Sequence, residues 1–212
     1  MSNLYDTNNI YLFDKKGNKI HSTAIIEDEV IIGSDNYIGA YTVIKSGTTI
    51  GDNNHIGIGC IIGDAPEKVG CFDVVSGVVI GNNNRFTKQV TIDRGNVVKT
   101  LLKDNILMLK NAHIGHDCKI MDNCTIGCNV AIGGNTFMEA FVTLGLNASV
   151  HQRSWIPMGS MIAANSFWKD NYADEILPED DFWIWVGTPT EKTKPNNIGY
   201  NRYVEIKENE KR

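Results

Sequence analysis

Isoleucine stands at every sixth position from Ile20 through Ile26, Ile32, Ile38, Ile44, Ile50 and Ile56 to Ile62. The phase survives an eighteen-residue step to Ile80, Phe86 and Ile92, slips by two, and resumes at Met108. From there Ile114, Ile120, Ile126, Ile132, Met138, Leu144, Val150, Ile156 and Ile162 keep it. A small or β-branched residue such as Ala24, Cys118 or Val130 stands two positions earlier, and glycine often follows, as at Gly39 and Gly127. A period of six matches neither the 3.6 residues of a helical turn nor the alternation of an ordinary strand. It predicts a flat strand and a corner, repeated, with the isoleucine turned inward and Gly or Asn easing each bend. Three such units close a triangular coil, and about seven coils rising ~4.8 Å each make a prism ~34 Å long.

The prism is expected over 20–167, after a lead-in at 1–19. Two stretches break the pattern, 64–77 (DAPEKVGCFDVVSG) and 96–104 (NVVKTLLKD), and are expected to project as loops that border one cleft. Because the step from Ile62 to Ile80 is one whole coil, the first is expected to replace coil residues. Residues 168–212 leave the repeat as a cap and tail. Within them DEILPEDD reads as a loop, FWIWV as a short strand and EIKENEKR as a solvated tail or frayed helix.

Composition narrows the partners. With 21% charged residues and a net charge of −5, a general nucleic-acid binder is not expected. No apolar run reaches the ~18 residues of a membrane span, and the first residues lack the apolar stretch of a secretory signal. The five cysteines (Cys60, Cys71, Cys118, Cys124, Cys128) have no CxxC spacing, so reduced thiols in a cytoplasmic chain are expected, and no metal site. Cys118 and Cys124 fall at inward positions, where a small thiol fills space. Trp155, Trp168, Trp183 and Trp185 are expected to pack between subunits or to wall a pocket.

The candidate chemistry is concentrated at His116, two residues after the inward Ile114. One coil on stands Gly134 and one coil further Gln152, so the three should stack on one face. A neutral imidazole can take a proton from an attacking hydroxyl or amine. A glycine beside it can offer an unhindered N–H to a carbonyl oxygen that becomes negative. Asp117 could orient the ring, although a sequence neighbour on a flat strand would face away, so this role needs a corner. Between 85 and 119, Arg85, Lys88, Arg94, Lys99, Lys103, Lys110 and Lys119 face three acids, a basic zone suited to phosphates.

These residues carry a resemblance. NAHIGHDC (111–118), with VTIDRG (90–95) upstream and His151–Gln152 downstream, resembles the UDP-N-acetylglucosamine 3-O-acyltransferases that open lipid A synthesis. The resemblance covers roughly 18–166 and returns weakly at NNIGYNR (196–202). It implies an all-β, left-handed parallel β-helix and a homotrimer with sites between neighbouring prisms. It implies His116 as general base, Asp117 as its partner and Gly134 as oxyanion donor. His113, His151, Gln152 and Asp93 would contact substrate, with Asn197 and Arg202 on the nucleotide. No tightly bound cofactor is implied, the acyl donor being a co-substrate, acetyl-CoA or an acyl-carrier protein.

The chain also departs from that family. Asp93 and Asn135 stand where it has histidines, and the first loop, PEKVGCFD, lacks its sugar-binding Asp-Leu-Lys. The family's C-terminal helical domain is not expected after 167, while GSMIAANS (159–166) and VGTPTEKTKPN (186–196) resemble the broader sugar acetyltransferases. The expected activity is therefore acyl transfer from a thioester to a hydroxyl or amine of a nucleotide-linked amino sugar for bacterial surface-glycan synthesis. The lipid A reaction is the alternative, and a non-catalytic trimeric binding module the second.

Overall fold

The computed structural model describes residues 10–69, 76–169 and 181–210. Its strands are mostly two residues long, and the second residue of each pair is the one the repeat singles out. In His113–Ile114, Lys119–Ile120 and Thr125–Ile126 the first side chain is partly or fully exposed and the isoleucine is buried. Three positions after the inward residue the backbone enters the left-handed region, as at Asp117 (φ 60°), Asn123 (63°) and Asn129 (58°). Asn and Asp tolerate this region better than other non-glycine residues, which is why they recur at the corners.

The corners fold the chain into three parallel sheets of eleven, seven and eight strands, the largest including antiparallel additions at both ends. Ile114 lies between Ile92 of the coil before and Ile132 of the coil after. The result is a left-handed parallel β-helix of hexapeptide repeats, with eight rungs on the face that carries His113. That is one coil more than the spacing predicted. Among the described residues no helix is long and apolar enough to cross a membrane.

Both interruptions need correcting. Ile50 pairs with Ile80, thirty positions on instead of eighteen, while Ile62 pairs with Ile44 in the ordinary register. The first insertion therefore adds twelve residues at one corner and replaces no part of a coil. The second is shorter than the break in the pattern suggests. Thr100–Leu102 is a strand of the prism, paired to Val78–Ile80 on one side and Lys119–Ile120 on the other. Leu102 is fully buried in the inward slot, reached four residues late, so the loop is confined between Asp93 and Thr100.

At the C-terminal end the buried Trp168 closes the core, with Trp185 edge-on at 4.9 Å. These two tryptophans thus pack within the chain. Trp183–Gly187 continues the first face parallel to Met161–Ile162 and turns back as Thr190–Pro195. A helix follows over Asn197–Asn209, its N-terminus capped by the Asn196 side chain accepting from Gly199 N–H. The expected DEILPEDD loop lies outside the described residues except for Asp181.

Ile126 is wholly buried in mid-prism between Met108 and Leu144. Ile126→Ala should cost about 2–5 kcal/mol, the usual cost of a cavity at such a site. Urea denaturation monitored by circular dichroism checks this; an unchanged midpoint would mean that the column does not carry the stability.

Candidate active site

After Ile114 the chain turns a corner, and that turn brings two sequence neighbours together. The left-handed conformation of Asp117 swings its carboxylate beneath the preceding ring, and His116 Nδ1 lies 2.7 Å from Asp117 Oδ2. On a flat strand the two side chains would have pointed apart. The other carboxylate oxygen, Oδ1, accepts from the N–H groups of Asn96, Val97 and Val98 at 2.9, 2.7 and 2.8 Å. Asp117 N–H in turn donates to Thr100 Oγ1. The second insertion thus acts as a clamp on the carboxylate.

Burial pushes the Asp117 carboxyl up, but the bonds from His116 and the three amides outweigh it and hold it below its ordinary value. A carboxylate so depressed adds stability that is fully present above the unfolded value of ~3.9. That contribution is lost as pH falls through the folded value. Protection factors at the Val97 and Val98 amides should therefore fall at acid pH before those of the core amides of Ile114 and Ile132 do. Simultaneous release would argue against the clamp.

With the carboxylate accepting from Nδ1–H, the His116 Nε2 lone pair is left for chemistry. The ring is mostly buried, with 12% of the side chain exposed. It lies against Gly134, where a β-carbon would come within 2.6 Å of Nε2. Only a glycine leaves room for the ring there. Among the described residues no acceptor takes the Gly134 N–H. A groove of about 460 Å³ opens over this pair, walled by Glu67, Asp93, His113, His151 and Gln152 among others. His113 Nδ1 pairs with Thr91 Oγ1 at 2.8 Å, and its Nε2 is 3.9 Å from Asp93 Oδ2. His151 lies edge-on to Phe167 at 6.1 Å.

Residues 109–145 match the bacterial transferase hexapeptide (six repeats) family. Over 169 residues the chain is 31% identical to an acyl-[acyl-carrier-protein]–UDP-N-acetylglucosamine O-acyltransferase of Campylobacter concisus. The aligned part is 69% of this chain, which spans 64% of that relative's length. This chain resembles the hexapeptide-repeat acyltransferases. Solved structures agree. The UDP-N-acetylglucosamine acyltransferase of Campylobacter jejuni superposes with a TM-score of 0.69 at 26% identity, covering 87% of this chain and 77% of that one. The UDP-N-acetylglucosamine O-acyltransferase of Moraxella catarrhalis gives 0.64 at 28% identity over the same shares.

Of the residues singled out by the resemblance to hexapeptide-repeat acyltransferases, seven meet at this corner. His113, His116, Gly134, His151, Gln152 and Asp93 line the groove, with Asp117 behind the ring. Asn197 and Arg202 do not join them. Their helix lies along another edge of the prism, with Tyr203 against Phe141 at 5.2 Å and Asn196 Nδ2 donating to Gly159 O. Nor does any of the seven basic residues line the groove. Arg85 and Lys88 belong to the eleven-stranded face and Lys119 to the seven-stranded one, so charges close in sequence are spread around the perimeter.

Eight further lining residues are not among the sequence candidates, Ser149, Phe167 and Glu67 among them. Ser149 and Phe167 lie one and two coils beyond Ala131 in the column that starts at His113, and stepping by eighteen would have found them. Glu67 comes from the first insertion, where the repeat gives no register.

Proposed function

We propose that the chain is a cytoplasmic acyltransferase that moves an acetyl or longer acyl group from a thioester of coenzyme A or an acyl-carrier protein. The acceptor is a hydroxyl or amine of a nucleotide-linked amino sugar destined for a bacterial surface glycan. The observation that carries this is the 2.7 Å contact of His116 Nδ1 with a clamped Asp117, over a groove floored by Gly134. In this reading His116 Nε2 removes the acceptor's proton as its oxygen or nitrogen attacks the thioester carbonyl. Gly134 N–H donates a hydrogen bond to the developing oxyanion. The C–S bond then breaks, and the thiolate leaves with the proton from His116.

UDP-N-acetylglucosamine O-acylation is the second reading, favoured by the activity of the Campylobacter concisus relative. In either case we place the working unit as a homotrimer, since packed prisms make clefts deeper than one face can offer. Such packing would give Asn197 and Arg202 a neighbouring copy's groove to reach.

The test is release of free thiol from acetyl-CoA and from an acyl-carrier protein in the presence of UDP-sugars, with product masses. No release from either donor with any sugar would leave the non-catalytic binding module. Sedimentation showing a fully active monomer would overturn the trimer. Gly134→Ala should lower kcat by roughly 10²-fold, since a methyl group there displaces the base by about an ångström. An unchanged rate would mean that the ring does not need that position.

A further inference from the structure

Among the described residues the groove is lined by carboxylates and by no lysine or arginine. Glu67 and Asp93 wall both the groove and an adjoining cavity of about 160 Å³ that extends from His113 toward Asp64. Among the described residues of either lining, the side chains able to carry positive charge are the histidines, His113, His116 and His151. The Asp93 carboxylate is 9% exposed, and His113 Nε2 lies 3.9 Å away, beyond hydrogen-bonding distance. Glu67 also lies near it and its carboxylate repels the Asp93 charge, while His116 as well as His113 draws the Asp93 pKa down.

We propose that this corner receives an amine, so that the acceptor is an amino sugar acylated on nitrogen and Asp93 selects it over the corresponding alcohol. The inference rests on the acyltransferase reading above and narrows its acceptor. An ammonium group would give the two carboxylates the cation they lack, through charge-assisted hydrogen bonds. A hydroxyl would leave both charges in the groove uncompensated.

Burial pushes the Asp93 carboxyl up, against the pull of His113, so it is suited to take a proton as well as to bind one. The bound ammonium first yields one proton to Asp93. The neutral nitrogen then attacks the thioester carbon, and a C–N bond forms as the C–S bond breaks. His116 carries the second proton from nitrogen to the departing thiolate, and Asp93 returns the first to water. One hydrogen stays on the amide, and the free thiol is the other product.

The experiment uses the full chain with acetyl-CoA and an acyl-carrier protein as donors and two matched UDP-sugars, one with a 3-hydroxyl and one with a 3-amine. The amine should show a kcat/KM about tenfold or more higher, the worth of one charge-assisted hydrogen bond. Asp93→Asn should raise KM for the amine by a similar factor and KM for the hydroxyl by clearly less. Equal use of both sugars, preference for the hydroxyl, or an equal loss for both in Asp93→Asn would overturn the inference and leave the acyltransferase reading standing. Without thiol release from either sugar the acyltransferase reading fails. Calorimetric titration of the two sugars then decides the acceptor: an Asp93-dependent preference for the amine upholds it, and equal affinities overturn it.

Discussion

His116→Ala is expected to lower kcat by roughly 10²–10⁴-fold, the usual worth of a positioned acid–base group. KM for the acceptor should change little, because the ring contributes chiefly while the proton moves. The fold should survive. His116 stands at a corner, outside the column in which Ile92, Ile114 and Ile132 stack. Steady-state kinetics with circular dichroism separate the two effects. An amine acceptor adds a signature: residual activity in the variant should climb at alkaline pH, where more of the nitrogen is already deprotonated. Full activity at pH 7 would remove His116 from the mechanism.

Asp117→Asn should be nearly as damaging, for a different reason, with a loss in kcat of up to about 10⁴-fold as in triads with the same exchange. The amide oxygen can still accept from Asn96, Val97 and Val98, so the loop should stay in place. The amide nitrogen, however, now donates to His116 Nδ1, which lies 2.7 Å from the carboxylate oxygen it replaces. The ring proton is driven to Nε2, and the lone pair that would accept the substrate's proton is gone. Imidazole ¹⁵N shifts report the tautomer directly. A variant that keeps its rate, or one that loses it without a change of tautomer, would show that Asp117 acts otherwise. Asp117→Ala gives the contrast, releasing the loop as well as the ring.

The fold was legible in the sequence because a repeat states its register many times over. Each inward residue from Ile20 to Ile62 repeats the same instruction, and a single unsuitable residue does not erase it. Legibility ended where the repeat ended. Leu102 was missed because the four extra residues before it shift the phase, although its strand is as well paired as its neighbours. The site divides in the same way. His116, Gly134 and Gln152 could be read from their spacing of eighteen, which in this fold is a statement about contact. The clamp on Asp117 could not, since backbone N–H groups have no residue type to recognise. Glu67 was hidden for the related reason that an insertion's path is set by local packing, without a period. The basic zone failed because nearness along a chain that winds around three faces is not nearness in space.

The coil of His113 and His116 lies well inside the eight-stranded face, with several strands on either side. Each coil touches chiefly the one before and the one after, so the ends of the stack open at lower cost than its middle. Mild heat should therefore peel the prism from its termini, as a zipper opens, and the groove would be among the last parts to go. Thermal loss of catalysis would then follow the breaking of the central coils, well after the first amide protons of Ile26 and Ile32 have exchanged.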